Sequence, residues 1–340
     1  MINRVFIITY FGGTIVENRM PILIHHETGE KPQRGGGAKQ KYLNYCIKQA
    51  EKAGNKVILF GDEANSEWCT SWFDVSSFTS NRWEKFLAHF ENLSDYNDEW
   101  AKGIFKRFFI FEKYILENDI NQFVLLDSDI LLYLDVNTYT AFNDYDVATC
   151  ILKNQDFSVL PKGNELRMVA NAGFSYWTRN ALSSFLDFCI NVYENRKDLI
   201  YPKYQAHKKY SLSGGVNEMT LIYLWIKHHK DIRHLNLAIR NGHSTFNSDI
   251  RKSYNYFEEE YTVNSKYNIK NVVFKNDTPY LTSLDGELVR AYNLHFIGDS
   301  KRLIKDYYYH QNITFKTKCI EFGWLTRTWL GKQKRKLLKS

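Results

Sequence analysis

Gln122-Phe-Val-Leu-Leu-Asp127-Ser-Asp129-Ile-Leu-Leu-Tyr133 sets two carboxylates inside an otherwise apolar run of strand length. Burying an ionised carboxylate costs several kcal/mol unless it is paired or holds a metal. The run follows a helical pattern and is rich in Val, Leu and Ile, so it reads as a buried parallel strand. In open α/β sheets, ligands bind at the carboxyl end of such a strand. Alternate carboxylates placed there suit a hard divalent cation whose shell is completed by phosphate oxygens, one acid remaining free for ribose, sugar or a metal-bound water. An acidic pair on a solvated loop is the other reading, and the apolar residues on both sides argue against it.

Composition bounds the answer. With 340 residues, 44% of them hydrophobic and 16% aromatic, the chain is no disordered tail, and it has enough apolar material for one large α/β domain or two smaller ones. The formal charge of +7 is unevenly placed, because Lys332, Lys334, Arg335, Lys336 and Lys339 crowd the C-terminus with no acid among them. Without them the body carries about +2, which argues against a general polyanion binder. The five cysteines (Cys46, Cys69, Cys150, Cys189 and Cys319) show no paired spacing and predict reduced, mostly buried thiols, with no zinc or disulfide framework. No apolar run approaches the length of a membrane span, and the N-terminal one is too short for a signal-peptide core, so a cytoplasmic location or a cytosolic membrane face is expected.

The carboxylate pair resembles the Asp-x-Asp motif of GT-A nucleotide-sugar glycosyltransferases. A second stretch strengthens the likeness: Leu294-His295-Phe296-Ile297-Gly298-Asp299-Ser300-Lys301 resembles the His-x-x-Gly-x-x-Lys element of glycosyltransferase family 8, although Arg302 stands where that family usually has proline. The resemblance implies that Asp127, Asp129 and His295 hold a divalent metal. Gly298 would let the backbone approach, and Lys301 would bind the diphosphate. Imidazole favours Mn²⁺ over Mg²⁺. It further implies a nucleoside-diphosphate sugar as donor, most readily a UDP-sugar, with Ser128 beside it between the two acids.

Read along the chain, the other elements keep the order such a fold requires. Residues 5–10 predict a first buried strand, and Thr9, Tyr10 and Phe11 at its end would meet the nucleotide; Gly12-Gly13 as a plain turn is the competing reading. Residues 17–39 read as a flexible surface loop, with His25 and His26 solvated and no phosphate-loop spacing around Gly35-Gly36-Gly37. Tyr42, Tyr45, Cys46, Ile47 and Ala50 are spaced as a helix that ends at Gly54 and leads into a strand at residues 57–60, a βαβ unit. Asp62 follows that strand, either at a ribose hydroxyl or on a solvated turn. Residues 64–100 predict short helices and a loop. Residues 99–118 predict a helix with Ile104, Phe105, Phe108, Phe109, Ile115 and Leu116 inward. Arg107 on this helix is either a contact to the nucleotide-sugar or a surface arginine.

Residues 144–150 predict another strand, and Asn171 with Gly173 resembles the Asn-x-Gly element that contacts the donor sugar. Asn180 is expected to cap the helix that follows. Glu218 opens another apolar helix where family 8 usually carries Asp-Gln-Asp, and it is a candidate on the acceptor side; the helix dipole alone also favours an acid there.

The expected organisation is a GT-A-like, Rossmann-like domain over residues 1–305 with a mostly parallel sheet flanked by helices, then a helical extension over 306–340. Tryptophans beside the basic tail suit an anionic membrane surface, or else a packed helix with a solvated tail; nucleic acid is not expected. The expected activity is transfer of a sugar to a glycan or lipid-linked acceptor, with retention favoured over inversion. A metal-dependent phosphohydrolase is one alternative, although Leu131 stands where a haloacid-dehalogenase-type site would want Thr or Val. A non-catalytic sugar-nucleotide or membrane-binding module is the other.

Overall fold

Ile22, Leu23 and Ile24 are fully buried, which corrects the surface-loop reading for this part of residues 17–39; residues 17, 18 and 27–39 lie outside the described residues. The computed structural model of the chain describes residues 19–26, 42–151, 169–255, 259–264 and 268–310, and in it this triplet opens β1 (Ile22–His26). Three apolar residues are too few to give a periodic signal, so only the flanking strands reveal the segment as sheet. β1 pairs in parallel with β2 (Val57–Gly61), whose outer neighbour is β3 (Trp72–Asp74), and on its other side with β4 (Gln122–Leu126). It is the first strand among the described residues, whereas the sequence predicts the first buried strand at residues 5–10. Those residues, with Thr9, Tyr10 and Phe11, lie outside the described residues. α1 (Tyr42–Lys52) joins β1 to β2 as the helix of the βαβ unit.

β4 stops at Leu126, and the chain leaves the sheet as β5 (Ile130–Leu132). The single strand expected over this run is thus two strands, broken at the aspartates. β6 (Val147–Ile151), β7 (Ala170–Thr178) and β8 (His234–Asn236) complete a seven-stranded sheet in the order β3-β2-β1-β4-β7-β6-β8. Only β7 runs against the others. Side chains alternate between the two faces. Leu23, Ile58, Phe60, Phe123 and Leu125 meet one cluster, and Ile22, Ile24, Leu59, Val124 and Leu126 meet the other. A sheet covered on both faces explains why its strands read as continuous apolar runs.

The first face is covered by α2 (Asn81–His89), α3 (Asp98–Glu117), α4 (Arg179–Asn195) and α6 (Glu218–His228), with α5 (Tyr201–Lys209) contributing Tyr201 and Tyr204 at its margin. Phe105, Phe108 and Phe109 of α3 and Leu182, Phe185 and Tyr193 of α4 are all buried there. Each such side chain contributes roughly 1.5–3 kcal/mol relative to exposure. Leu116, expected inward, is 54% exposed in the last turn of α3. The α4 cap is Thr178 rather than Asn180: its hydroxyl accepts the Ala181 N–H at 3.3 Å, and Asn180 is already inside the helix. The four cysteines among the described residues are free and buried. No helix among the described residues is long and apolar enough to cross a membrane.

A smaller layer follows. β9 (Ser244–Thr245) is added in parallel to β14 (Leu288–Ala291), which forms a meander with β12 (Val272–Lys275) and β13 (Thr278–Thr282). β10 (Val263–Asn264) and β11 (Ile269–Lys270) form a short antiparallel pair. Asn276 and Asp277, both at positive φ, make the tight turn between β12 and β13, as such turns require. β15 (Asn293–His295) pairs antiparallel with β5, and α7 (Ile304–Tyr308) packs against α1. The described residues form a mixed α/β fold with a mostly parallel central sheet flanked by helices. The expected C-terminal extension lies mostly outside them.

Candidate functional site

Backbone pairing builds the site before any side chain is considered. Asp127 N–H donates to the Gly173 carbonyl at 2.6 Å, which carries the β4–β7 ladder to the first carboxylate. The β5–β15 register sets His295 opposite Ile130, and Phe296 N–H donates to the Asp129 carbonyl at 3.0 Å. Since successive strand side chains face opposite ways, this register turns His295 toward the aspartates. One donor atom from each of Asp127, Asp129 and His295 lies within 4.8 Å of the others.

Burial divides the roles. Asp127 is 34% exposed, whereas Asp129 is 9% and His295 5% exposed. Lys301 Nζ stands 2.8 Å from Oδ2 of Asp129, and His295 Nε2 lies 3.3 Å from its Oδ1. Burial opposes the Asp129 charge, but His295 and Lys301 overcome it and hold the carboxyl well below its ordinary range. His295 is raised in turn: burial works against its protonation and Asp129 outweighs it. Lys301 also sits over the Tyr42 ring at 5.4 Å.

Asn171 orients the histidine. Its Oδ1 accepts the Gly173 N–H at 2.8 Å, which fixes the amide and turns Nδ2 toward the Ser248 carbonyl at 2.8 Å and His295 Nδ1 at 3.4 Å. Nε2 is the nitrogen presented to Asp129; it carries a proton while it donates to that carboxylate and has to give it up to ligate a cation. Asn247 Oδ1 receives the His295 backbone N–H at 3.1 Å, and the His295 carbonyl accepts from Ile250.

A divalent cation fits these residues. The donor set is two carboxylates and an imidazole, hard oxygens and one borderline nitrogen converging on a single point. Gly173 leaves the space such an ion needs, since a Cβ there would stand 2.7 Å from His295 Cε1 and 3.0 Å from Asp127 Oδ2. Among the candidates, Asp127, Asp129 and His295 would be the ligands.

Arg107 is no plain surface residue. It reaches from α3 to bridge two acids, Nη1 at 2.7 Å from Asp127 and Nη2 at 3.2 Å from Glu218. Glu218 is the first residue of α6, behind the Asn217 cap, and its Oε2 is buried without a hydrogen bond. Burial raises the Glu218 pKa and Arg107 opposes that rise. Lys203, fully buried on α5, donates to Thr220 Oγ1 at 2.6 Å, and burial pushes it down to about 7.

The structure thus gathers Asp127, Asp129, Asn171, Gly173, Glu218, His295, Lys301 and Arg107. Ser128 is half-buried between the aspartates, and Gly298 sits at φ +61° at the start of the turn bearing Lys301. Asp62 is not part of this cluster: it stands two strands away on the same sheet edge and accepts Asn65 Nδ2 at 3.1 Å. Sequence reasoning missed Tyr42, Lys203 and the segment Asn247-Ser248-Asp249-Ile250-Arg251. A polar run between the buried Phe246 and Ile250 was its only sequence signal. Leu131, two residues beyond Asp129, is fully buried in the apolar cluster of the smaller layer, away from the polar groups.

Two surface cavities lie elsewhere. One of about 490 Å³ lies by Phe188, Arg196 and His228, and one of about 520 Å³ by Tyr139, His234 and Tyr292; neither is lined by a member of the triad. Convergent polar groups mark the candidate site.

No protein-family model and no curated protein matches the chain. Among solved structures, it is similar to the galactosyltransferase LgtC in complex with donor and acceptor sugar analogues, at 12% identity over 88% of this chain and 99% of that one, with a TM-score of 0.41. It is also similar to a glycosyltransferase involved in glycosylation of the major capsid of PBCV-1, at 11% identity over 86% and 99% of the two chains, TM-score 0.38. Mouse xyloside xylosyltransferase 1 in its apo form shares 11% identity over 64% and 84%, TM-score 0.38. These are similarities of outline, and the chemistry of the site rests on its own side chains.

Proposed function

We propose that the chain is a metal-dependent glycosyltransferase of GT-A type, most like family 8, that moves a sugar from a nucleoside-diphosphate donor, a UDP-sugar in the first instance, to a glycan or lipid-linked acceptor. One observation carries this reading: Asp129 is buried at the centre of the triad with His295 on one oxygen and Lys301 on the other. Two carboxylates, an imidazole and a lysine suit a divalent cation together with a diphosphate, and a neutral ligand has no need of them.

Asp127, Asp129 and His295 would hold a divalent cation, Mn²⁺ in preference to Mg²⁺, which would supply positive charge to the diphosphate. The chain's own residues do the rest. Lys301 presents an ammonium to the departing diphosphate, a preorganised charge that costs no rearrangement during reaction. Asn171 keeps the His295 ring in its orientation, and Gly173 keeps the floor open. Arg107 holds Asp127 and Glu218 in fixed relation, so the donor side and the acceptor side are set by one guanidinium. Glu218 would receive an acceptor hydroxyl on its unpartnered oxygen. Retention is favoured by the His-x-x-Gly-x-x-Lys likeness, and an inverting course would use Glu218 as the base. The lipid-linked acceptor is proposed from the basic tail, which lies outside the described residues.

The test is a calorimetric and thermal-shift titration with UDP, GDP, CDP and ADP, with and without Mn²⁺, on the wild type and Asp129→Ala. The expected result is Mn²⁺-dependent binding of one nucleotide, lost in the variant. Binding of none would remove the glycosyltransferase reading.

A further inference from the structure

The cations around the triad are not alike. Lys301 is matched to Asp129, and Arg107 to Asp127 and Glu218. Arg251 is matched to an acid outside the triad: its Nε and Nη2 both donate to Asp249, at 3.1 Å each, and its backbone N–H donates to the same carboxylate at 2.9 Å. Asp249 is only 6% exposed. A buried carboxylate gripping the Nε–Nη2 edge of the guanidinium fixes that plane, and it leaves the Nη1 N–H pair for another acceptor.

Where Nη1 points is set by two neighbours. Ile250, the residue before Arg251, pairs its N–H with the His295 carbonyl at 2.9 Å, so Arg251 lies beside the strand end that carries the histidine. Nη1 itself comes within 3.0 Å of where a Cβ on Gly298 would stand. Gly298 begins the 3₁₀ turn Gly298–Leu303, which bears Lys301. Arg251 and Lys301 are therefore both tied to the same turn, where the positive φ of Gly298 favours glycine and the guanidinium packs against it.

We infer that Arg251, oriented by Asp249, is a second diphosphate-binding residue, donating from Nη1 to the phosphoryl group that departs with the nucleotide. Arginine suits this task better than lysine because its donors are planar and directional. Asp249 acts through it as a positioning residue. The inference rests on the glycosyltransferase reading, and the experiment separates the two.

UDP and UMP are titrated calorimetrically in Mn²⁺ into the wild type, Arg251→Gln, Arg251→Lys and Asp249→Asn. For Arg251→Gln the expected result is a roughly 10- to 100-fold loss of UDP affinity, the worth of a charge-assisted hydrogen bond, with UMP affinity kept within about twofold. Arg251→Lys recovers part of the loss. Asp249→Asn keeps the guanidinium charge and falls between the wild type and Arg251→Gln, again for UDP alone. Retained UMP binding shows that a variant is folded at the site. Equal weakening of UDP and UMP, or no change in either, overturns the role of Arg251 and leaves the proposed function standing. A wild type that binds no nucleoside diphosphate overturns both.

Discussion

Arg107 Nη1 lies 2.7 Å from Asp127 while Nη2 of the same guanidinium lies 3.2 Å from Glu218, so one side chain of α3 ties the end of β4 to the start of α6. Arg107→Met leaves two carboxylates facing each other in a largely buried site, and a loss of about 3–5 kcal/mol in unfolding free energy is expected. Arg107→Lys fails to restore it, because a single ammonium cannot span both acids in this geometry. Adding Glu218→Gln to Arg107→Met recovers part of the loss. A double-mutant cycle from urea unfolding measures the coupling, and additive costs would show that the bridge does not form.

Asp129→Ala removes the anion between His295 and Lys301. Mn²⁺ binding is expected to disappear, and the chelator-treated protein is expected to lose about 1–3 kcal/mol, because Lys301 is left without its partner and the buried His295 without the charge that holds its proton. Asp127→Ala, at the more exposed acid, weakens Mn²⁺ binding with a smaller change in the melting temperature. Calorimetry with Mn²⁺ and thermal melting in EDTA check both expectations.

Gly173→Ala puts a methyl group 2.7 Å from His295 Cε1 and 2.9 Å from Asn171 Oδ1. The histidine has to move, and its backbone, paired to β5, cannot follow. The expected cost is about 1–3 kcal/mol of stability and a loss of roughly 10–100-fold in metal affinity, the scale seen when the support of a metal ligand is disturbed. Wild-type Mn²⁺ affinity in this variant would show that Gly173 does not border the metal position.

His234 gives a pH signature away from the site. Its Nε2 donates to the Thr149 carbonyl at 3.0 Å, and burial pushes its pKa down to about 4 against the opposing effect of that bond. A histidine depressed in the folded state stabilises fully above its unfolded pKa near 6.5 and loses that contribution as pH falls toward 4. The loss amounts to at most about 3 kcal/mol. His234→Gln keeps a donor without a titrating ring and is expected to flatten the fall in melting temperature between those pH values. An unchanged slope would assign the acid sensitivity to other groups.

Much of the architecture was legible because burial leaves local traces. The helix at residues 98–117, the apolar side of α4 and the strand at residues 57–61 all follow from spacing within one element. β1 was not legible, since three buried aliphatics beside two histidines carry no period, and their burial comes from α1 and from strands on either side. Thr178 outcompeted Asn180 as a cap because β7 extends to Thr178 and the helix turns directly from its end. Asp62 was placed on the right edge of the sheet but two strands from Asp127, a separation that spacing along the chain cannot reveal.

By itself the amino-acid sequence determined which groups are available: an acidic pair that interrupts a buried run, a histidine, glycine and lysine at fixed spacing, and helices whose apolar faces must be covered. Burial and short-range spacing are properties of a few neighbouring residues, so they survive in the linear text. Only the tertiary structure decided which groups meet. The β5–β15 register brings His295 to Asp129, the packing of α3 against the sheet hands Arg107 both Asp127 and Glu218, and the Asp249 fork sets Arg251 against Gly298. Each of these depends on strand register or helix placement across a long loop, where the free energy is shared among many weak contacts and no single residue announces its partner.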